Sequence, residues 1–163
     1  MRRGGFFYLD RSVEYSIFVL FATMALVGGL QVFNRYVLNQ PLSWSEEFQK
    51  FSHIWLIFLT IPVGVNRGSH IGMRLIVGKF PPLIQSLLTL LTYLMWLGFA
   101  LALIYYTTVI MGVARFQTSP GLGLRMDWVY LGLFLGGIYL AIVALRKLGE
   151  QIRQFLSKTP GEA

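Results

Sequence analysis

The chain has no cysteine in 163 residues, which excludes disulfides, thiol redox chemistry and thiolate metal sites together. Charge is scarce too: Asp, Glu, Lys and Arg make up 13% of the chain, against roughly 25% in soluble domains. With 55% hydrophobic residues and a mean hydropathy of +0.61, that scarcity points to an integral membrane protein. Acids are the rarer sign, 7 against 14 Lys and Arg. No basic run exists, so nucleic acid is not an expected partner; the cations are spread over termini and loops, as membrane orientation requires. The two histidines, His53 and His70, would lie about 25 Å apart along one helix and cannot hold the same iron. Gly121 and Gly123 read as a turn, because no strand precedes them and no Lys-Ser/Thr follows. No nucleophile–base set, metal cluster or cofactor motif emerges, so neither an enzyme nor a cofactor of this chain is expected. No cleavage site follows a short apolar region near the start, so no signal peptide is expected either.

What the chain does have is long apolar runs. Tyr15 to Phe33 carries no charge and Leu83 to Val113 carries none over 31 residues; about 20 suffice to cross a ~30 Å hydrocarbon core. The expected fold is all-α: one membrane domain with four transmembrane helices, at about 12–37, 45–65, 83–113 and 126–146. Residues 1–11 form a basic, aromatic lead-in, and Arg146–Ala163 a polar tail. Asn39-Gln40-Pro41 breaks the first span. Ser43 and Ser45 are both placed to cap the second, with Glu46 and Glu47 in its first turn, where the helix dipole favours negative charge. Pro62 is expected to bend that helix. The third run is long enough to need tilt or projection beyond lipid. About 71–79, Ile71, Leu75 and Ile76 share a face while Arg74 and Lys79 stay wet, which predicts a short interfacial amphipathic helix.

Orientation follows from the cations. Arg2, Arg3, Arg11, Arg67, Arg74, Lys79, Arg146, Lys147, Arg153 and Lys158 fall on one side, against Arg35, Lys50, Arg115 and Arg125 on the other. The positive-inside rule then puts both termini in the cytoplasm.

The ionisable residues concentrate between Gln31 and His70. At 100° per residue, Glu46, Lys50, His53, Ile57, Thr60 and Gly64 share an arc of roughly 80°, opposite Phe48, Phe51, Trp55, Phe58 and Leu59. Lipid solvates the second set well and the first badly, so the first is expected to meet protein. The first helix has a similar line in Met24, Gly28, Gln31 and Arg35. The simplest packing brings Arg35 to Glu46 or Glu47, with Lys50 one turn deeper and paired with Glu46 at i, i+4. Such a group can be a clasp for a helical hairpin, a docking surface for a larger membrane partner, or part of an ion path. The path is disfavoured because only His53 and Thr60 continue it inward. Gly132 and Gly136 form a GxxxG that permits close helix approach, and Asp127 is placed to cap the fourth helix or to pair with Arg125.

These residues also carry a family resemblance. Arg35-Tyr36, Asn39, Pro41-Leu42, Trp44, Glu46-Glu47, Lys50, Trp55, Arg67 and His70-Ile71 resemble the signature of the DctQ-like small membrane subunit of tripartite ATP-independent periplasmic (TRAP) transporters. TSPGLGLRMDWVYLGLFLG is similar to the family's final loop and helix. Lys50 stands where arginine is usual, and Arg125 where proline is expected. The resemblance implies a bacterial or archaeal inner-membrane subunit beside a large, DctM-like multi-span permease that carries the Na⁺ and substrate sites. It also implies delivery of organic acids, such as C4-dicarboxylates or sialic acids, by a periplasmic binding protein. In that setting the small chain is a scaffold without a cofactor of its own, with lipid and the permease as neighbours. The competing expectation is a self-sufficient four-helix carrier, a homodimer coupled to protons through Glu46 or Glu47.

Overall fold

A computed structural model describes residues 5–68 and 80–158. Four helices account for nearly all of them: α1 (Gly5–Tyr36), α2 (Ser45–Arg67), α3 (Pro82–Ala114) and α4 (Met126–Lys158). Each is long and apolar enough to cross a membrane, so the chain is a multi-pass, all-α membrane protein. The proposed interfacial helix about 71–79, with Arg74, Lys79 and His70 near it, lies outside the described residues.

Two helices exceed the predicted spans. The first begins at Gly5, so residues 5–11 of the lead-in are already its opening turns. The fourth runs on to Lys158, so much of the expected polar tail is helical. Neither extension contains a proline to stop it, and hydropathy alone marks only the lipid-soluble part of such a helix. The third helix has 33 residues, about 50 Å of rise, well beyond a ~30 Å core.

Start and stop signals explain most boundaries. Asn39 takes a left-handed φ of 52° in the turn after α1, a conformation asparagine tolerates better than most residues. The predicted serine cap of α2 does not form. Trp44 holds the N-cap position without a side-chain bond, and the Ser45 hydroxyl donates backwards to the Leu42 carbonyl at 2.7 Å. Gly68, at φ 66°, closes α2 with backbone bonds to the carbonyls of Gly64 and Val65, the usual left-handed glycine stop.

The helices pack in the order α1–α2–α4–α3, a layer more open than a closed bundle. Its core lies where α2, α3 and α4 meet: Val65, Ala100, Tyr139, Leu140 and Val143 are buried there. The α2–α4 seam is set by glycine. A Cβ on Gly132 would sit 2.6 Å from the Trp55 ring, and one on Gly136 would sit 2.5 Å from the Phe58 carbonyl oxygen. The neighbouring Gly137 turns instead to Ile104 of α3. The helix thus uses adjacent glycines to approach two partners.

A Gly136→Val variant tests this seam, because its Cβ would meet backbone, which cannot rotate away. We expect a loss of about 1–3 kcal/mol, the usual cost of overpacking, read as a lower midpoint of thermal unfolding in detergent. Gly98→Val, where a Cβ meets nothing within 4 Å, should leave the midpoint nearly unchanged.

Candidate functional site

The polar residues collect into three groups along α2. At the end carrying the α1–α2 and α3–α4 loops, the Glu47 carboxylate crosses to the α3–α4 loop. Its Oε2 accepts the backbone N–H of Gly121 at 3.0 Å and that of Leu122 at 2.9 Å. Gly121 is required for this approach, since a Cβ there would stand 2.9 Å from the carboxylate oxygen. The loop is itself a miniature hairpin. Thr118 and Arg125 form an antiparallel bridge, Ser119 N–H donates to the Leu124 carbonyl at 2.8 Å, and Met126 N–H to that of Gln117 at 2.9 Å. Gly123 supplies the left-handed turn residue at φ 66°. Arg125 forks onto Asp127, with Nε to Oδ1 at 3.2 Å and Nη2 to Oδ2 at 2.5 Å. Asp127 also accepts the N–H of Trp128 at 3.1 Å. The path of the loop at Arg125 is therefore held by the bridge and by this fork.

The expected Arg35 clasp is not formed. Among the described residues Arg35 pairs with neither Glu46 nor Glu47; its guanidinium lies 5.9 Å from the ring centre of Tyr36. The reason is competition: two converging backbone donors at fixed positions occupy Glu47, whereas the arginine is exposed and open to solvation. The α1–α2 hairpin is joined lower, where Gln49 Nε2 donates to Gln31 Oε1 at 3.1 Å and Gly28 leaves room for the Gln49 amide. Trp44 packs edge-on against Phe48, with ring centres 6.2 Å apart. Tyr36, Asn39 and Pro41 are exposed in or beside the turn.

Toward the opposite end, between the start of α1, the end of α2 and the middle of α4, lies a cluster that sequence reasoning misses. Asp10 accepts the Tyr139 hydroxyl at 2.8 Å, the Asn66 amide at 2.9 Å and Arg146 Nη1 at 3.3 Å. Arg146 Nη2 also donates to Asn66 Oδ1. Three helices are tied through one carboxylate. Arg67 reaches Glu14 at 2.6 Å across the α1–α2 seam, but both partners are well exposed, and such pairs are worth about 0–1 kcal/mol. The signal that could have found the cluster is the rarity of acids. Asp10 and Glu14 stand at i, i+4 in a strongly cationic chain, and placing Asp10 outside the helix hides their common face.

Between these ends, α2 is turned opposite to expectation within the chain. Its aromatic side packs inward, with Trp55 and Phe58 against the glycines of α4 and Leu59 buried. Glu46, Lys50, His53, Ile57 and Thr60 are exposed. No ion pair joins Glu46 to Lys50 among the described residues. The glycine seam decides this orientation, because only the aromatic side fills it. Above the seam, an apolar groove of about 580 Å³ opens between α1 and α4, floored by Trp55 and Leu59 and walled by Val13, Leu20, Leu135 and Ile138.

Geometry and composition thus define a helical membrane protein whose polar groups hold ends together; among the described residues no three His, Cys, Asp or Glu side chains gather as a metal site. The chain belongs to the DctQ component family of the tripartite ATP-independent periplasmic transporters, whose family model matches residues 24–154. It is a transporter-subunit relative and not an enzyme. It is 25% identical over 148 residues to a candidate TRAP transporter small permease protein of Haemophilus influenzae, covering 91% of this chain and 92% of that one. It is 22% identical over 142 residues to the sialic acid TRAP transporter small permease SiaQ of Vibrio cholerae, covering 84% and 79%. Over 112 residues it is 28% identical to the isethionate TRAP transporter permease DctMQ of Oleidesulfovibrio alaskensis, covering 68% of this chain but 18% of that protein.

Two variants test the ends. Glu47→Ala removes the one oxygen that accepts both loop amides and should cost about 1–3 kcal/mol. Hydrogen exchange at Gly121 and Leu122 should then accelerate while the centre of α4 stays protected. Asp10→Ala removes the acceptor that the Tyr139 hydroxyl, the Asn66 amide and Arg146 share. It should lower the unfolding midpoint in detergent more than Glu14→Ala, which removes only the exposed pair.

Proposed function

We propose that this chain is the non-catalytic small permease subunit of a Na⁺-coupled, binding-protein-dependent secondary transporter for organic acids of the C4-dicarboxylate or sialic acid class. In this reading it lies in the cytoplasmic (inner) membrane with both termini inside. It braces the static scaffold of a large, DctM-like elevator subunit that holds the Na⁺ and substrate sites, and its outer loop helps dock the periplasmic binding protein. The fused relative DctMQ, in which the matching segment is a small part of a long chain, supports a large partner.

The observation that carries the reading is the placement of the acids. A proton-coupled carrier needs a carboxylate near mid-membrane beside a binding chamber. Here Glu46 and Glu47 lie in the first turn of α2, and Glu47 is committed to two loop amides. The groove between α1 and α4 is lined by apolar side chains, with Ser16 and the tyrosines 15 and 139 as exceptions. Such an arrangement suits a brace, with no polar groups lined up through the described residues as a carrier's path requires.

Affinity purification of the tagged chain from its native membrane should recover a stoichiometric large multi-span protein. Vesicles containing the chain alone should show no organic-acid uptake under Na⁺ or proton gradients. Recovery of a pure homodimer that moves substrate down a proton gradient would replace this reading with that of a small carrier.

A further inference from the structure

We infer that the stripe of α2 from Glu46 through Lys50, His53 and Thr60 to Gly64 is the seam on which a scaffold helix of the large permease subunit docks; the inference rests on the subunit reading above. The stripe occupies one arc of a membrane-crossing helix, and its side chains from Glu46 to Thr60 are exposed. The contacts of α2 within the fold lie elsewhere: Gln49 turns to α1, Trp55 and Phe58 to α4, and Ile61 and Val65 to the core.

Depth makes the exposure significant. His53 lies seven residues below Glu46, about 10 Å into the helix, and Thr60 about 21 Å. Lys50 can snorkel to the interface on its flexible stem, but the short imidazole arm of His53 cannot. A ring with a donor and an acceptor nitrogen left against hydrocarbon is costly. The Thr60 hydroxyl already donates to the Leu56 carbonyl at 2.6 Å and keeps lone pairs free. Beyond it, a Cβ added to Gly64 would meet nothing within 4 Å, which leaves a notch for close backbone approach. The stripe therefore asks for a helix that offers a hydrogen-bonding side chain at the depth of His53 and closely packed backbone at the depth of Gly64.

A second copy of this chain does not meet that demand. Copies inserted with the same orientation are related by an axis along the membrane normal, so each residue faces its own kind at its own depth. Lys50 would then meet Lys50, and Glu46 would meet Glu46, a like-charge arrangement that destabilises the contact. Lipid supplies no fixed partner at the depth of His53. A different protein can place an acid opposite Lys50 and His53, and in the proposed assembly the large subunit is the membrane-embedded one. The groove on the other side of α2, between α1 and α4, has the opposite character and suits lipid.

The absence of cysteine permits a direct test by single-site spin labelling. Thr60→Cys reports the stripe and Ile138→Cys reports the groove, both far from the helix ends. Each is labelled in the chain expressed alone and in the complex purified with its large subunit, with the unsubstituted chain giving the background. Oxygen accessibility at position 60 should fall severalfold on complex formation, while position 138 should stay lipid-accessible. In parallel, Gly64→Leu should leave the unfolding midpoint of the isolated chain intact, yet reduce recovery of the large subunit about tenfold. A complex in which position 60 remains oxygen-accessible, or position 138 is the one protected, overturns the seam and leaves the subunit reading standing. Protection of position 60 in a homodimer without a large subunit overturns the seam and shows a second copy there. An unsubstituted chain that brings down no large subunit overturns the subunit reading itself.

Discussion

Hydrocarbon offers no hydrogen bonds, so every polar group that crosses it must be satisfied within protein or pushed to an end. This constraint organises the chain. Helical backbone satisfies itself, and the remaining side chains divide by depth. Glu47 is committed to the amides of the α3–α4 loop, and Asp10 to donors from α2 and α4. Between the two, the packed faces are apolar and glycine-lined. The two carboxylates act as clamps on a layer whose middle is held mainly by shape, with the Gln31–Gln49 amide pair joining α1 to α2.

The open order α1–α2–α4–α3 gives α2 an unusual load. One side fits the Gly132–Gly136 seam, another meets α1 through the Gln31–Gln49 amide pair, and a third remains uncovered. In water such a face would be an ordinary wet surface. In a membrane it is an unfinished interface, because helix association there depends on close packing and interhelical hydrogen bonds, with no hydrophobic drive between helices and lipid. That stripe is the face the proposed partner helix would cover.

How far this is legible in the sequence depends on the kind of signal. Span number comes from hydropathy, which is a property of composition and survives ignorance of packing. The glycine spacing at 132 and 136 suggests close approach, and α2 is the partner found there. The sequence pattern leaves helix facing open between the hairpin and an outside partner, and packing decides it within the chain because polarity and shape pull α2 in opposite directions. Lipid aversion alone turns Lys50 and His53 inward, whereas Trp55 and Phe58 have complementary glycines to fill and Lys50 makes no ion pair among the described residues. Arg35 is matched to an acid on paper because opposite charges near a turn attract. The geometry of two preset backbone amides is invisible in a one-dimensional pattern. Tyr139, mid-span in an apolar helix, gives no warning that its hydroxyl reaches Asp10 across 129 residues of sequence.

The two departures from the family pattern now separate physically. Arg125 is explained inside the chain: its guanidinium forks onto Asp127 while its backbone bridges Thr118, so this loop is stitched where proline would only stiffen it. Lys50 is tied less firmly: it is exposed and forms no ion pair among the described residues, its charge acting within the fold on the nearby Glu47 carboxylate. An arginine there would offer a planar, bidentate fork; a lysine offers a mobile point charge. That difference has no consequence for a residue facing water, but on an uncovered helix face in a membrane it changes which partner group can be met. If the proposed seam holds, the substitution at position 50 belongs to the logic of the interface, whereas the substitution at 125 belongs to the logic of the loop.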